Sequence, residues 1–116
     1  MSTLSAIENA VCYIEDHLAD ALSISDLAKQ SGYSEFYFQR LFSAVCEVSL
    51  GEYIRCRRMS IAAAELLNSD LRITELAYKY GYETPESFTK AFHRFHGASP
   101  SEIRQQKQPA KRFARI

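Results

Sequence analysis

Apolar residues fall in a helical rhythm almost from the start of this chain. Leu4, Ile7, Val11, Ile14 and Leu18 recur at intervals of three or four, which predicts a helix over residues 4–18 with these side chains as its buried stripe. Ser23 can cap a second helix, with Asp26 in its first turn. A third is expected over 35–46, with Phe38, Leu41, Phe42 and Val45 inward and Phe36, Gln39, Arg40 and Ser43 outward. The longest spans 49–68, where Tyr53, Ile54, Ile61, Ala64, Leu67 and Asn68 make the stripe and no Gly or Pro follows Gly51. A turn over 69–72 leads to a helix over 73–80. The next covers 85–95, with Phe88, Ala91, Phe92 and Phe95 inward and Glu86, Ser87, Thr89, Lys90 and His93 outward. A seventh starts after Ser99 and fades near Gln106. No stretch alternates with a period of two, so the fold class is all-α, with seven helices.

The segments on either side of the 49–68 helix are copies of one another. Ile24 to Tyr33 matches Ile73 to Tyr82 at an offset of 49, and Phe38 to Phe42 matches Phe88 to Phe92 at an offset of 50. The capping boxes Ser49-Leu50-Gly51-Glu52 and Ser99-Pro100-Ser101-Glu102 keep the offset of 50. Two copies argue for a duplicated unit rather than a solenoid. Each copy holds a short helix, a Gly-Tyr pair (Gly32, Gly81), a polar cap (Ser34, Thr84) and a second helix. A glycine tolerates the left-handed conformation that reverses a helix end, and the sum is the helix-turn-helix pattern.

The spacing between the copies sharpens that pattern. At about 1.5 Å per residue the 49–68 helix is about 30 Å long, close to the roughly 34 Å of one turn of B-DNA. Two second helices so spaced are expected to enter successive major grooves on one face of a duplex. The expected organisation is an N-terminal helix-turn-helix subdomain (1–48), a central linker helix (49–68), a C-terminal helix-turn-helix subdomain (69–107) and a basic tail (108–116).

Size and chemistry leave this picture standing. A chain of 116 residues, 47% hydrophobic, can bury a core in one domain or in two very small ones. No apolar run approaches the roughly 20 residues of a membrane helix, and no signal pattern opens the chain, so the cytoplasm is the expected location and no membrane is a partner. Cys12, Cys46 and Cys56 are odd in number and have no CxxC spacing, which disfavours disulfides and reads as small buried apolar residues. His93 and His96 share a helix face but lack a third ligand, so no metal is expected. No paired carboxylates, nucleophile motif or phosphate loop appears, so no catalytic residue, cofactor or enzyme activity is assigned. The formal net charge is zero, yet residues 1–50 carry two bases against seven acids and residues 51–116 twelve bases against seven acids, so −5 faces +5. From Arg104 onward Lys107, Lys111, Arg112 and Arg115 follow with no acid between them, a tail expected to fray, to touch phosphates or to lead into a further domain.

Three segments carry a family likeness: SGYSEFYFQRLF (31–42), SLGEYIRCRRMSIAAAELL (49–67) and ITELAYKYGYETPESFTKAFHRFHGASPSEIR (73–104). Together they resemble the DNA-binding domain of the AraC/XylS family of bacterial transcription regulators, over about residues 7–104. The short form resembles the stand-alone activators typified by MarA, SoxS and Rob. The resemblance implies a monomer that binds a long asymmetric site on double-stranded DNA and contacts RNA polymerase near the promoter. It implies base contacts from Phe36, Gln39 and Arg40 in the first recognition helix. Phe36 suits a thymine methyl, Gln39 adenine, and Arg40 guanine O6 and N7. The matching positions of the second helix are Glu86, Ser87, Thr89 and Lys90, with Glu86 tolerable near phosphates if it accepts from a cytosine amine. Ser25, Ser34 and Thr84, at helix starts, are expected to hold phosphates, with Arg55 and Arg58 adding charge on the linker helix. The family usually has Gly where Glu47 stands, so the third helix is expected to end less sharply than the one before Gly97. Arg72 replaces the cap Ser23, so the fifth helix is expected to start less firmly, by about 1 kcal/mol.

Two other functions fit the sequence. The chain can be the DNA-binding piece of a longer regulator with a C-terminal effector-binding domain. It can also be a protein-interaction module without DNA binding, a reading motivated by zero net charge and by Glu35, Glu47 and Glu86.

Overall fold

The computed structural model describes residues 2–106 and 113–116. Among the described residues there are seven helices and no strand: α1 (Thr3–Asp16), α2 (Ile24–Ser31), α3 (Glu35–Cys46), α4 (Leu50–Asn68), α5 (Ile73–Lys79), α6 (Pro85–His96) and α7 (Pro100–Gln106). The chain divides into two compact units, and the division falls inside α4, after Arg55.

The first unit packs α1, α2 and α3 on the opening turns of α4. Its core is Ile7, Val11, Ile14, Leu27, Phe38, Phe42, Leu50 and Tyr53. Phe42 lies against Phe38 and Tyr53, at 6.4 and 5.7 Å between ring centroids, and the Tyr53 hydroxyl donates to Glu15 of α1 at 2.8 Å. The second unit packs α5, α6 and α7 on the rest of α4, around Met59, Leu66, Leu76, Phe88, Phe92 and Ile103. Glu65 of α4 accepts from Lys79 Nζ at 2.6 Å and from the Tyr80 hydroxyl at 3.0 Å. Burial alone would raise its carboxyl pKa; those two donors and the Lys79 charge outweigh it and hold the group below its ordinary value.

The helix ends follow the sequence closely. Ser23, Ser34, Ser49, Thr84 and Ser99 each accept from the amide three residues on, and Ser99 and Glu102 close a reciprocal box at 3.2 Å in both directions. Tyr33 N–H donates to Ala28 O and Tyr82 N–H to Ala77 O, so both copies reverse through the same six-residue loop bond. As expected, the Arg72 side chain caps nothing; Glu75 accepts from the Arg72 amide at 3.1 Å, which satisfies one donor of the bare end.

Several expectations are corrected. Glu47 adopts φ 61°, ψ 22°, close to the φ 78° of Gly97, so α3 ends as sharply as α6. A side chain in that region costs about 1–2 kcal/mol. Glu47→Gly is therefore expected to raise stability by about 0.5–1 kcal/mol after the extra freedom of the unfolded glycine is deducted. Urea melts of the two proteins check it, and a destabilised variant would contradict it. Leu4 and Val45 lie outside the core, at 57% and 42% exposure, because the chain at each helix end has already left the cluster. The α4 stripe is also misplaced. Ala64, Leu67 and Asn68 are exposed, and the second unit instead buries Met59, Ala62, Ala63 and Leu66. Cys12 is exposed rather than buried; Cys46 and Cys56 are half-buried, and none of the three is in a disulfide.

The basic tail departs most from expectation. Arg104 is half-buried rather than frayed; its guanidinium donates to Leu66 O at 3.3 and 3.1 Å and to Ser69 O at 3.4 Å, closing the carbonyl end of α4. Phe113, expected in a frayed segment, is held by its backbone, with its N–H on Ser60 Oγ and its carbonyl on Arg57, each at 2.6 Å. Lys107, Lys111 and Arg112 lie outside the described residues.

Candidate nucleic-acid interface

The outer face of α3 is set by what its inner face buries. Phe38 and Phe42 are fully buried one turn apart, which fixes the helix about its axis and turns Phe36, Gln39, Arg40 and Ser43 away from the core. These four side chains line one shallow depression of about 330 Å³. Phe36 is 71% exposed, and the Arg40 Cζ lies over its ring, 5.6 Å from the centroid. The three residues expected to read bases in this helix are therefore brought together. Ser43, set outward in the sequence but given no contact, joins them. Tyr37, given no contact from the sequence, is also exposed, at 51%, with its ring 5.3 Å from Tyr33.

The outer face of α6 is built the same way. Phe88 and Phe92 are fully buried, with ring centroids 5.7 Å apart, and Tyr82 and His96 pack beside them at 5.4 and 4.2 Å. The His96 ring binds the Met59 carbonyl through Nε2 at 3.0 Å, so that nitrogen ties α6 to α4. Glu86, Ser87 and Lys90 are exposed, and Thr89 is half-buried. At the offset of 50, Phe36, Gln39 and Arg40 correspond to Glu86, Thr89 and Lys90, and each pair has the same degree of burial. Ser87 is partly engaged. Its hydroxyl donates to the Thr84 carbonyl at 2.9 Å and accepts from Thr84 Oγ1 at 3.1 Å. Glu86 lies in the first turn, where the helix dipole favours an acid.

The expected phosphate contacts differ in access. Ser34 and Thr84 are exposed at the starts of α3 and α6, each using its hydroxyl oxygen as a cap. Ser25 is half-buried in the first turn of α2. Arg55 is exposed and pairs loosely with Glu52 at 3.8 Å, whereas Arg58 is half-buried. Burial draws the Arg58 pKa below its ordinary value, with Tyr82 acting in the opposite direction. Of the two, Arg55 is the freer cation. Among the described residues no group of three metal-binding side chains occurs, and no helix is long and apolar enough to cross a membrane.

Known proteins share this fold. A family model described as a helix-turn-helix domain matches residues 27–106. The chain belongs to the AraC-type helix-turn-helix family. Members of that family are DNA-binding transcription regulators, and so is this protein. It is 38% identical over 104 residues to the regulatory protein SoxS of Escherichia coli K12, covering 90% of this chain and 97% of SoxS. It is 40% identical over 100 residues to the transcriptional activator AarP of Providencia stuartii, covering 86% of this chain and 74% of AarP. Its fold matches the C-terminal domain of AraT, a response regulator from Geobacillus stearothermophilus, with a TM-score of 0.82 at 27% identity over 96% of this chain and 93% of that one. The AraC-type assignment accounts for the all-helical fold of the described residues and for its helix-turn-helix pattern.

Proposed function

We propose that this AraC-type regulator binds double-stranded DNA sequence-specifically as a monomer, reads two successive major grooves with α3 and α6, and activates transcription in the cytoplasm through contact with RNA polymerase. The observation that carries this reading is the repeated register: two helices, each fixed by two buried phenylalanines, present the same outward positions 50 residues apart. The 19 residues of α4 amount to about 28 Å of helix, near one duplex pitch. Phe36 takes a thymine methyl, Gln39 an adenine and Arg40 a guanine. Lys90 takes a guanine or a phosphate, Thr89 and Ser87 adapt to either, and Glu86 accepts from a cytosine amine. Ser25, Ser34, Thr84, Arg55 and Arg58 position the chain on phosphates.

The two helices do not contribute equally. On α3 the reading register bears a cation and no acid; on α6 Glu86 offsets Lys90. The first helix therefore carries most of the specificity. A fluorescence titration against the DNA upstream of the protein's own gene and against random duplex, at two salt concentrations, tests the proposal. Preference for the upstream DNA by about a thousandfold or more is expected, with both affinities falling steeply as salt rises. Equal affinity for the two duplexes contradicts sequence reading, and indifference to salt contradicts DNA binding altogether.

A further inference from the structure

We propose that Phe36 is a positioning residue for Arg40, a ring that holds the reading guanidinium in place before DNA arrives; this rests on the assignment of α3 as a base-reading helix. The two residues are one turn apart on the outer face of α3, with Cζ of Arg40 over the ring at 5.6 Å from its centroid. Burial does not explain a phenylalanine at this position: it is 71% exposed, while Phe38 and Phe42 on the same helix are fully buried. An exposed arginine spreads over many rotamers, and binding must freeze them, which weakens affinity. A ring beneath the cation narrows that spread by attracting the positive charge to its negative face. The contact consumes none of the five N–H donors, so all remain for guanine O6 and N7.

The second copy gives the contrast. At the same two positions, 50 residues later, stand Glu86 and Lys90. A carboxylate one turn before a lysine competes with DNA for the cation, where a ring does not. The positioning device is therefore confined to α3, and the discrimination it adds belongs to the one base pair that Arg40 reads.

The test is a single-base substitution scan of a site obtained by selection from random duplex. The Arg40 base pair is the one whose preference Arg40→Ala abolishes. Phe36→Leu keeps an apolar side chain and helix propensity but removes the ring. It is expected to cut the guanine preference at that pair about two- to fivefold, while Phe36→Trp, the better ring, retains or strengthens it. In an Arg40→Ala background, Phe36→Leu is expected to change nothing at that pair. A guanine preference left intact by Phe36→Leu, or a loss that persists without Arg40, overturns the positioning role alone. A wild-type protein indifferent to every base overturns the base-reading assignment, and the positioning role with it.

Discussion

Replacing Phe92 with alanine is expected to destabilise the second unit by about 3–5 kcal/mol. The ring is fully buried among Met59, Leu66, Leu76, Phe88 and Ile103, and its centroid is 5.7 Å from that of Phe88 and 4.2 Å from that of His96. Its removal subtracts the transfer free energy of an aromatic side chain and leaves a cavity that α4, α5 and α7 close only in part. Small domains are stable by about 5–15 kcal/mol in total, and a unit of this size belongs near the low end. The variant should therefore unfold its second unit at a much lower urea concentration, as followed by circular dichroism. Because Phe92 also fixes the rotation of α6, affinity for the selected site should fall with it. Lys90→Ala, on the outer face of the same helix, should change stability by no more than about 0.5 kcal/mol. A loss below about 1.5 kcal/mol for Phe92→Ala would mean that this core collapses around the gap or carries little of the stability.

Arg40→Ala is expected to weaken binding to the selected site by about 1–3 kcal/mol, roughly 5- to 150-fold. It should do so by relaxing the preference at one base pair. The side chain is exposed on the outer face of α3 and lies over the ring of Phe36, itself exposed, so folding should be unaffected to within about 0.5 kcal/mol. The two variants separate cleanly: Phe92→Ala lowers stability and binding together, and Arg40→Ala lowers binding alone. If Arg40→Ala weakens every sequence alike, the guanidinium contacts phosphate and α3 reads its site by other side chains.

The repeat made much of this legible in the sequence. It located the second helix of each copy, α3 and α6, and the Phe38/Phe42 and Phe88/Phe92 pairs then dictated which residues must point outward. Local chemistry was enough for the caps, since a serine or threonine three residues before an unpaired amide has few better uses. Errors arose where a local rule met a tertiary one. The α4 stripe fails after Ile61 because one helix serves two cores, and a single periodicity cannot describe both. Glu47 turned into the left-handed region despite its side chain because the chain must reverse there to begin α4. The run of basic residues predicts a frayed tail, yet Arg104 and the backbone of Phe113 are bonded. Their acceptors and donors on α4 and just after it, Leu66 O, Ser69 O, Arg57 and Ser60, lie 35 to 56 residues away in sequence, and no local pattern announces them.

One measurement tests the two-groove account most directly: affinity for the selected site after five base pairs, about half a helical turn, are inserted between its two halves. Binding should drop to that of the α3 half-site alone, with protection of the second half lost in a footprint. Undiminished affinity, with both halves still protected, would contradict a single chain that reads successive grooves from one helix.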